Sequence, residues 1–252
     1  GYSDQSPCWR QVIAMSDLNE SCAADNLQQE QALLEFSNAA LQRISNAAPL
    51  VDVLNFIACS IEAVEPDMRC SVLLIDQSGV HLLHGAAPSL PDAYNAMVNG
   101  FAIGPVAGSC GTAAYRRESV FVSDIASDPL WAEVKDLALV HGLAACWSSP
   151  ILSPQGTVLG TFAVYWPKPQ LEVGRLARRY VETATRLAGI AIESSQREAV
   201  LHGQLEELRR WQQLTLGREG RVLSLKREVN SLLLRLGEPP RYGSVRGDED
   251  GA

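Results

Sequence analysis

The chain has 252 residues, of which 46% are hydrophobic and 20% charged, a composition typical of a globular protein. Its net charge of −8 argues against binding nucleic acid or an anionic membrane with the whole surface. The charge is uneven: residues 1–196 carry eleven basic and twenty acidic groups, and residues 197–246 carry ten and six.

The cysteines indicate a reducing compartment. There are six, and no two stand in a Cys-x-x-Cys pair. No stretch reaches the roughly 20 apolar residues of a membrane span, and the N-terminus lacks the pattern of a signal peptide. We therefore expect a cytoplasmic protein with no membrane contact by this chain.

The first elements are predicted to be helices. Residues 1–26 are polar and aperiodic, which predicts a flexible segment. Residues 27–47 follow with an apolar face of helical period. Pro49 breaks this pattern and suits the first turn of a second helix over 50–64. The apolar face of the first helix contains Leu33, Phe36, Ala40, Leu41 and Ile44.

The pattern then changes to strands. Residues 69–76 and 80–86 predict a hairpin, and a short helix is expected over 92–99. Residues 100–111 contain four glycines and a proline, which predicts a shaped loop rather than a helix or strand. The remaining predicted elements are a helix from Thr112, a strand over 120–123, a helix over 130–141 and strands over 143–152 and 157–166.

A long helix is predicted from about residue 171. One apolar row repeats every seven residues, and a second row is interrupted near Gly217 and Gly220. This pattern favours a parallel dimeric coiled coil over 197–236, although a helix packed on its own domain is the alternative. A disordered tail is expected over 237–252. The first row contains Leu187, Leu201, Leu208, Val222, Val229 and Leu236.

This order of elements indicates an α+β fold with one antiparallel sheet and helices packed mainly on one face. Three motifs narrow the assignment: GSCGTA at 108–113, V-x-D-I-x-x-D-P-x-W at 122–131 and CWSSPI at 146–151. Together they resemble the GAF family, in the form found in bacterial sensor kinases and diguanylate cyclases. The resemblance covers a domain at 27–196. It implies a six-stranded antiparallel sheet with flanking helices, a small-molecule pocket on one face and a homodimer formed through the terminal helices.

The glycine-rich segment at 108–112 is the first candidate site. A loop that runs into a helix N-terminus presents free N–H groups, which bind anions or polar ligands and lower the pKa of a cysteine. We therefore select Ser109, Cys110 and Thr112 as ligand contacts. The alternative is a tight turn with Cys110 as a small buried filler.

Two further clusters complete the predicted site. Asp124 and Trp131 are selected as a polar contact and a lid, although turn capping explains Asp124 equally well. Strand alternation places Cys146 and Ser148 on one face, and Tyr165 on the next strand is expected to take a similar part.

An enzymatic alternative follows from the same resemblance. Free methionine-(R)-sulfoxide reductases are GAF enzymes with a similar G-x-CGTA segment, so Cys110 is a candidate nucleophile. They also need a resolving thiol in the following loop and carboxylates in the pocket. The loop at 123–134 has no cysteine and the strand at 160–166 has no carboxylate. We therefore expect this chain to be a sensory module and not an enzyme.

No cofactor is indicated by the sequence. A bilin needs a histidine after its cysteine, but Gly111 follows Cys110, and no feature favours haem. No metal-binding spacing of His or Cys is present. The arginines of 197–236 alternate with glutamates, as on the flank of a coiled coil, so we expect no nucleic acid partner.

Overall fold

The computed structural model describes the backbone of residues 7–243 and the side chains of residues 26–213 and 218–243. The chain divides into two compact units, the first ending at Ser195 and the second beginning at Gln196. Within the described residues, none of the helices combines the length and the apolar character needed to cross a bilayer.

The first unit begins with α1 at Pro7–Ser45 and α2 at Leu50–Glu62. The structure differs here from the predicted flexible segment over 1–26, because the backbone is helical from Pro7. Proline suits the first turn of a helix, and residues 8–26 contain no further proline or glycine to interrupt it. Residues 1–6 of that segment lie outside the described residues.

Six strands form one sheet in the order β3-β2-β1-β6-β5-β4, and each neighbouring pair is antiparallel. The predicted α+β fold with a six-stranded antiparallel sheet is confirmed. The hairpin turns at Gly79 and Gly156 have φ of 76° and 81°, which glycine adopts without strain. The strands are β1 Arg69–Ile75, β2 His81–Ala86, β3 Phe101–Ala102, β4 Val120–Val122, β5 Ala145–Leu152 and β6 Val158–Trp166.

Helices cover both faces of the sheet, so the prediction that they pack mainly on one face is wrong. The physical reason is visible in β5 and β6, whose residues are buried on both sides. One face packs against α1, α2 and the start of α6 (Arg175–Arg235). The other face carries α3 Asp92–Val98, α4 Gly108–Arg116, a 3-10 helix at Pro129–Trp131 and α5 Lys135–Leu139.

The prediction of a single helix over 130–141 is wrong, because the structure has two short helical elements there. Asp128 caps the 3-10 helix by accepting a hydrogen bond from Leu130 N at 2.8 Å. Val134 then leaves the helical region with φ −128° and ψ 4°, and α5 begins after it. This break allows Trp131, Val134 and Leu137 to face the same cavity.

The second unit contains the distal part of α6, whose backbone stays helical through Gly217 and Gly220 to Arg235. The helix ends at Gly237, where φ is 80°; Glu238 N donates to Leu233 O at 3.0 Å and Gly237 N to Leu234 O at 3.2 Å. These two bonds form a Schellman motif.

The segment after this cap returns along the helix, where we predicted disorder from 237. The side chain of Asn230 accepts hydrogen bonds from Arg241 N and Tyr242 N, each at 3.0 Å, and donates to Tyr242 O at 2.8 Å. An amide side chain can supply both partners, which holds these residues in place. Residues 244–252 of the predicted tail lie outside the described residues.

Candidate functional site

A small cavity of about 60 Å³, partly open to solvent, lies between the sheet and the helices of the second face. It holds a few water molecules or the head of a small ligand. A larger ligand would require the covering helices to move. None of its described lining residues is charged. They are Leu73, Leu82, Tyr94, Met97, Val98, Phe101, Ala107, Gly108, Ser109, Cys110, Trp131, Val134, Leu137 and Tyr165.

The start of α4 forms one wall. Our prediction of a loop over the whole of 100–111 is wrong, because β3 occupies 101–102 and α4 begins at Gly108. Gly111 is required by close approach, because a Cβ there would lie 2.7 Å from Ala107 Cβ and 3.1 Å from Ala102 O. The tight packing directs Ser109 and Cys110 toward the sheet.

Trp131 covers the cavity beside this wall and is 4% exposed. Its Nε1–H donates to Ser109 Oγ at 3.0 Å. Gly108, with φ 56°, approaches the same ring, since a Cβ there would lie 3.7 Å from it. The side chain predicted to be a lid is therefore held against α4 by a buried hydrogen bond.

Polar groups form the floor of the cavity. Cys110 Sγ lies 3.6 Å from Tyr165 Oη, which shares a second hydrogen bond of 3.3 Å with Ser71 Oγ. Cys146 stands opposite Tyr165 in the pairing of β5 with β6, and it belongs to the buried cluster against which Cys110 packs.

Two hydroxyls on this face have no hydrogen-bond partner. Ser148 on β5 and Thr161 on β6 are each fully buried, and neither oxygen has a partner within the described structure. Most buried polar groups in proteins are hydrogen-bonded. An unpartnered pair beside a cavity therefore marks a place where a ligand or an ionised neighbour can be bound.

The pKa values in the floor are strongly displaced. The pKa of Cys110 is lowered to about 6, first by the neighbouring Cys146 thiol and further by the nearby hydroxyls of Ser148, Tyr165 and Thr161, while burial acts in the opposite direction. Burial raises the pKa of Cys146 well above its usual value, and the neighbouring Cys110 raises it further. The pair thus holds one readily ionised thiol and one that stays protonated.

The eight predicted contacts fall into three groups. Ser109, Cys110, Trp131 and Tyr165 line the cavity. Cys146 and Ser148 lie in the floor on the same face. Thr112 and Asp124 do not line the cavity: Thr112 Oγ1 accepts from Ala107 N at 3.1 Å, and Asp124 accepts from Ala126 N at 3.1 Å and Ser127 Oγ at 2.8 Å. The ligand role of all eight stays a prediction.

The wall formed by α3 was not predicted from the sequence. Tyr94, Met97 and Val98 of this helix line the cavity. They stand at i, i+3 and i+4, the spacing of one helical face, which is the signal that could have identified them. Tyr94 also contacts Tyr165 edge to face, with ring centroids 6.0 Å apart.

A second concavity is an open groove of about 640 Å³ near the start of β4. Its charged residues include Arg117 and Glu182, which are exposed to solvent, and Arg179, which is half-buried. Ligand sites are usually enclosed and mostly apolar, with a few placed polar groups. The smaller cavity under Trp131 meets this description better than the groove does.

The comparisons with known proteins agree with this architecture. A curated relative, the methyl sulfide methyltransferase-associated sensor of Methanosarcina acetivorans, is 37% identical over 66% of this chain. The chain spans only 16% of the length of that relative.

Two solved structures share the fold. The GAF domain of an Acinetobacter phosphoenolpyruvate-protein phosphotransferase has a TM-score of 0.52 at 17% identity, covering 66% of this chain and 96% of its own. The free methionine-R-sulfoxide reductase of Neisseria meningitidis, in complex with its substrate, has a TM-score of 0.52 at 14% identity, covering 68% and 91%. The GAF domain model matches residues 50–192. The chain is therefore a member of the GAF domain family.

Proposed function

We propose that this chain is a sensory module of a longer signalling protein. It binds a small molecule in the cavity under Trp131 and passes the ligand state along α6 of a homodimer. Kinase or cyclase output in a two-component pathway is the expected setting. Membership of the GAF family and the 37% identity to a sensor support a regulatory rather than an enzymatic role.

One observation carries the ligand-binding part of this proposal. A small, mostly apolar cavity is lined by Cys110 and Tyr165, and two buried hydroxyls without partners, on Ser148 and Thr161, lie beside Cys110 behind this lining. Leaving such groups unpaired costs about 1–3 kcal/mol each. A small ligand with a hydrogen-bonding head and an apolar body would recover this free energy.

The transmission part rests on α6. Its first turns pack on the sheet through Ala184, Ala188 and Ala191, and its backbone is helical without a break to Arg235. In the second unit the apolar row of α6 is exposed, with Leu208 60% exposed. A second copy of the chain would cover this row. Ligand binding would then favour one packing of the two helices over another.

Native mass spectrometry of the full chain tests both parts at once. Gentle conditions report the oligomeric state and any bound molecule, and denaturing conditions release that molecule for identification. We expect a dimer that carries a defined small mass. A monomer at micromolar concentration would contradict the dimer mechanism.

A matched pair of variants tests the location of the ligand. Val134→Phe places a ring in the cavity wall, whereas Val140→Phe makes the same change at a side chain that is 81% exposed. We expect the first variant to lose the bound mass and the ligand-dependent rise in Tm, and the second to keep both. Equal behaviour of the two variants would place the ligand elsewhere.

The reductase alternative is favoured by one observation, the ionisable Cys110 beside Cys146 at the cavity. The absence of carboxylates among the described lining residues argues against it. Turnover of free methionine-(R)-sulfoxide that disappears in Cys110→Ser would establish this activity. We expect no turnover by the unmodified chain.

We place the module in the cytoplasm, where a thiol pocket of this kind stays reduced. Neither nucleic acid nor membrane is proposed as a partner of this chain. Arginine and glutamate alternate along the distal part of α6, which suits the solvated flank of a coiled coil.

A further inference from the structure

The floor of the cavity gathers hydrogen-bond donors around a single sulfur atom. Cys110 Sγ lies 3.6 Å from Tyr165 Oη and packs against the buried cluster that contains Cys146, and the Cys146 thiol and the hydroxyls of Ser148 and Thr161 lower its pKa. The donors come from β5 and β6, and Cys110 comes from α4. Three elements therefore converge on one thiol.

The two unpartnered hydroxyls show which form of this thiol the site favours. Ser148 Oγ and Thr161 Oγ1 are fully buried and have no partner. A neutral thiol is a weak acceptor, but a thiolate accepts strong hydrogen bonds from O–H donors. Ionisation of Cys110 would therefore give both hydroxyls the partner that they lack.

Cys146 is placed to complete a second step. It is fully buried, stands opposite Tyr165 in the sheet and packs with Cys110 in the same cluster. The other described cysteines are elsewhere: Cys70 is in the core on the opposite face, and Cys59 on α2 is exposed. Cys146 is thus the described thiol that Cys110 can reach.

We propose that Cys110 and Cys146 are a peroxide-sensing thiol pair at the floor of this cavity. The Cys110 thiolate attacks a hydroperoxide, which breaks the O–O bond and gives Cys110 sulfenic acid and an alkoxide or hydroxide that takes up a proton. Cys146 then loses its proton and attacks the sulfenic sulfur as a thiolate, which forms the S–S bond and breaks the S–O bond; the departing hydroxide takes up a proton and leaves as water. Two thiols are oxidised and one hydroperoxide is reduced to an alcohol or water.

The shape of the site selects the oxidant. The cavity holds only about 60 Å³ beneath Trp131 and Tyr94, so hydrogen peroxide and other compact hydroperoxides fit and bulky ones do not. A disulfide would fix the first turn of α4 to β5 and alter the contact of Ser109 with Trp131. This switch uses the same cavity as the proposed ligand but requires no ligand, so the two proposals can fail separately.

The test treats the reduced, ligand-free full chain with hydrogen peroxide, blocks free thiols and maps the peptides by mass spectrometry. We expect a loss of 2 Da and a cross-linked peptide pair containing Cys110 and Cys146. In Cys146→Ser the reaction should stop at a sulfenic acid on Cys110, which dimedone traps when it is added as the chain is unfolded. The control Cys59→Ser should react like the unmodified chain.

A second variant separates chemistry from folding. Ser148→Ala with Thr161→Val removes two unpartnered hydroxyls and is expected to keep or raise the Tm of the unmodified chain. Oxidation of Cys110 at pH 7 should slow by about tenfold, because a smaller fraction of the thiol is ionised.

Oxidation that spares Cys110, or a disulfide from Cys110 to any cysteine other than Cys146, would overturn the inference. A ligand-dependent rise in Tm that persists in such a case would leave the proposed function standing. The reverse result, a disulfide without any ligand response, would support the switch alone.

Discussion

Cys110 illustrates how a side chain acquires its chemistry from residues that are distant in sequence. The glycine loop predicts a lowered pKa from the backbone N–H groups of a helix N-terminus. The structure shows the same direction with a different main cause, the Cys146 thiol on β5. Strand alternation correctly placed Cys146 and Ser148 on one face, but no local pattern shows that α4 lies above that face.

The ionisation of Cys110 gives the first residue-level prediction. A thiolate absorbs ultraviolet light more strongly than a thiol, so the absorbance due to Cys110 should rise through a midpoint near pH 6 in a pH titration. The difference spectrum against Cys110→Ser isolates the contribution of this thiol. A midpoint above pH 8, as for an ordinary thiol, would contradict the prediction.

The hydrogen bond between Trp131 and Ser109 gives the second. Trp131→Phe keeps an aromatic lid but leaves the buried Ser109 hydroxyl without its donor at 3.0 Å. We expect the free energy of unfolding to fall by about 1–2 kcal/mol in urea denaturation. The double variant with Ser109→Ala should show a coupling of about 1 kcal/mol. Simple additivity of the two changes would show that the bond contributes nothing.

At the scale of elements, the pairing of β1 with β6 depends on one glycine. A Cβ on Gly160 would lie 2.1 Å from the carbonyl oxygen of Leu73, in the centre of the sheet. Backbone atoms of two paired strands cannot both move away without breaking their hydrogen bonds. This close approach therefore excludes every side chain at that position.

We predict that Gly160→Ala lowers the free energy of unfolding by about 3 kcal/mol, the cost of forcing an extra methyl into packed structure. Gly203→Ala is the matched control on α6, where an added Cβ would meet nothing within 4 Å. That change should be neutral or stabilising by up to about 1 kcal/mol, because alanine favours helix. Denaturant titration of both variants makes the measurement, and equal effects would contradict the prediction.

Local sequence patterns predicted most of the helices and strands. They predicted the boundaries of these elements and their packing partners less well. Alternation and turn residues identified the hairpins, because Gly79 and Gly156 occupy conformations that favour glycine. The start of α1 was missed, since residues 8–26 lack an apolar face of helical period even though nothing in them interrupts a helix. The cavity wall at Tyr94 was missed because helical spacing shows a face but not what it covers.

At the scale of the whole molecule, the exposed apolar row of α6 is the feature that a dimer would explain. Leu201, Leu208 and Val222 are 58%, 60% and 44% exposed. Their spacing by multiples of seven is typical of a coiled-coil seam. A second apolar row accompanies the first, and its spacing from the first row changes along the helix. Leu205 stands four positions after Leu201, whereas Leu225 stands three positions after Val222. This change of spacing corresponds to the predicted interruption.

One charged substitution tests the proposed coiled-coil interface on α6. Leu208→Lys places an ammonium group in the proposed interface, whereas Gln213→Lys adds the same charge outside both apolar rows. We expect analytical ultracentrifugation at micromolar concentration to show weaker dimerisation for the first variant, by at least tenfold in Kd. The second should match the unmodified chain. Identical sedimentation of both variants would place any dimer contact elsewhere.

The Schellman cap at Gly237 would limit how far α6 carries the signal that we propose for it. Torque passes along a helix only while its backbone hydrogen bonds continue, and here they end in a glycine of positive φ. Asn230 then holds Arg241 and Tyr242 against the last turns. If α6 rotated, the residues that follow it would therefore be displaced sideways with the end of the helix, and they would not be twisted about the helix axis.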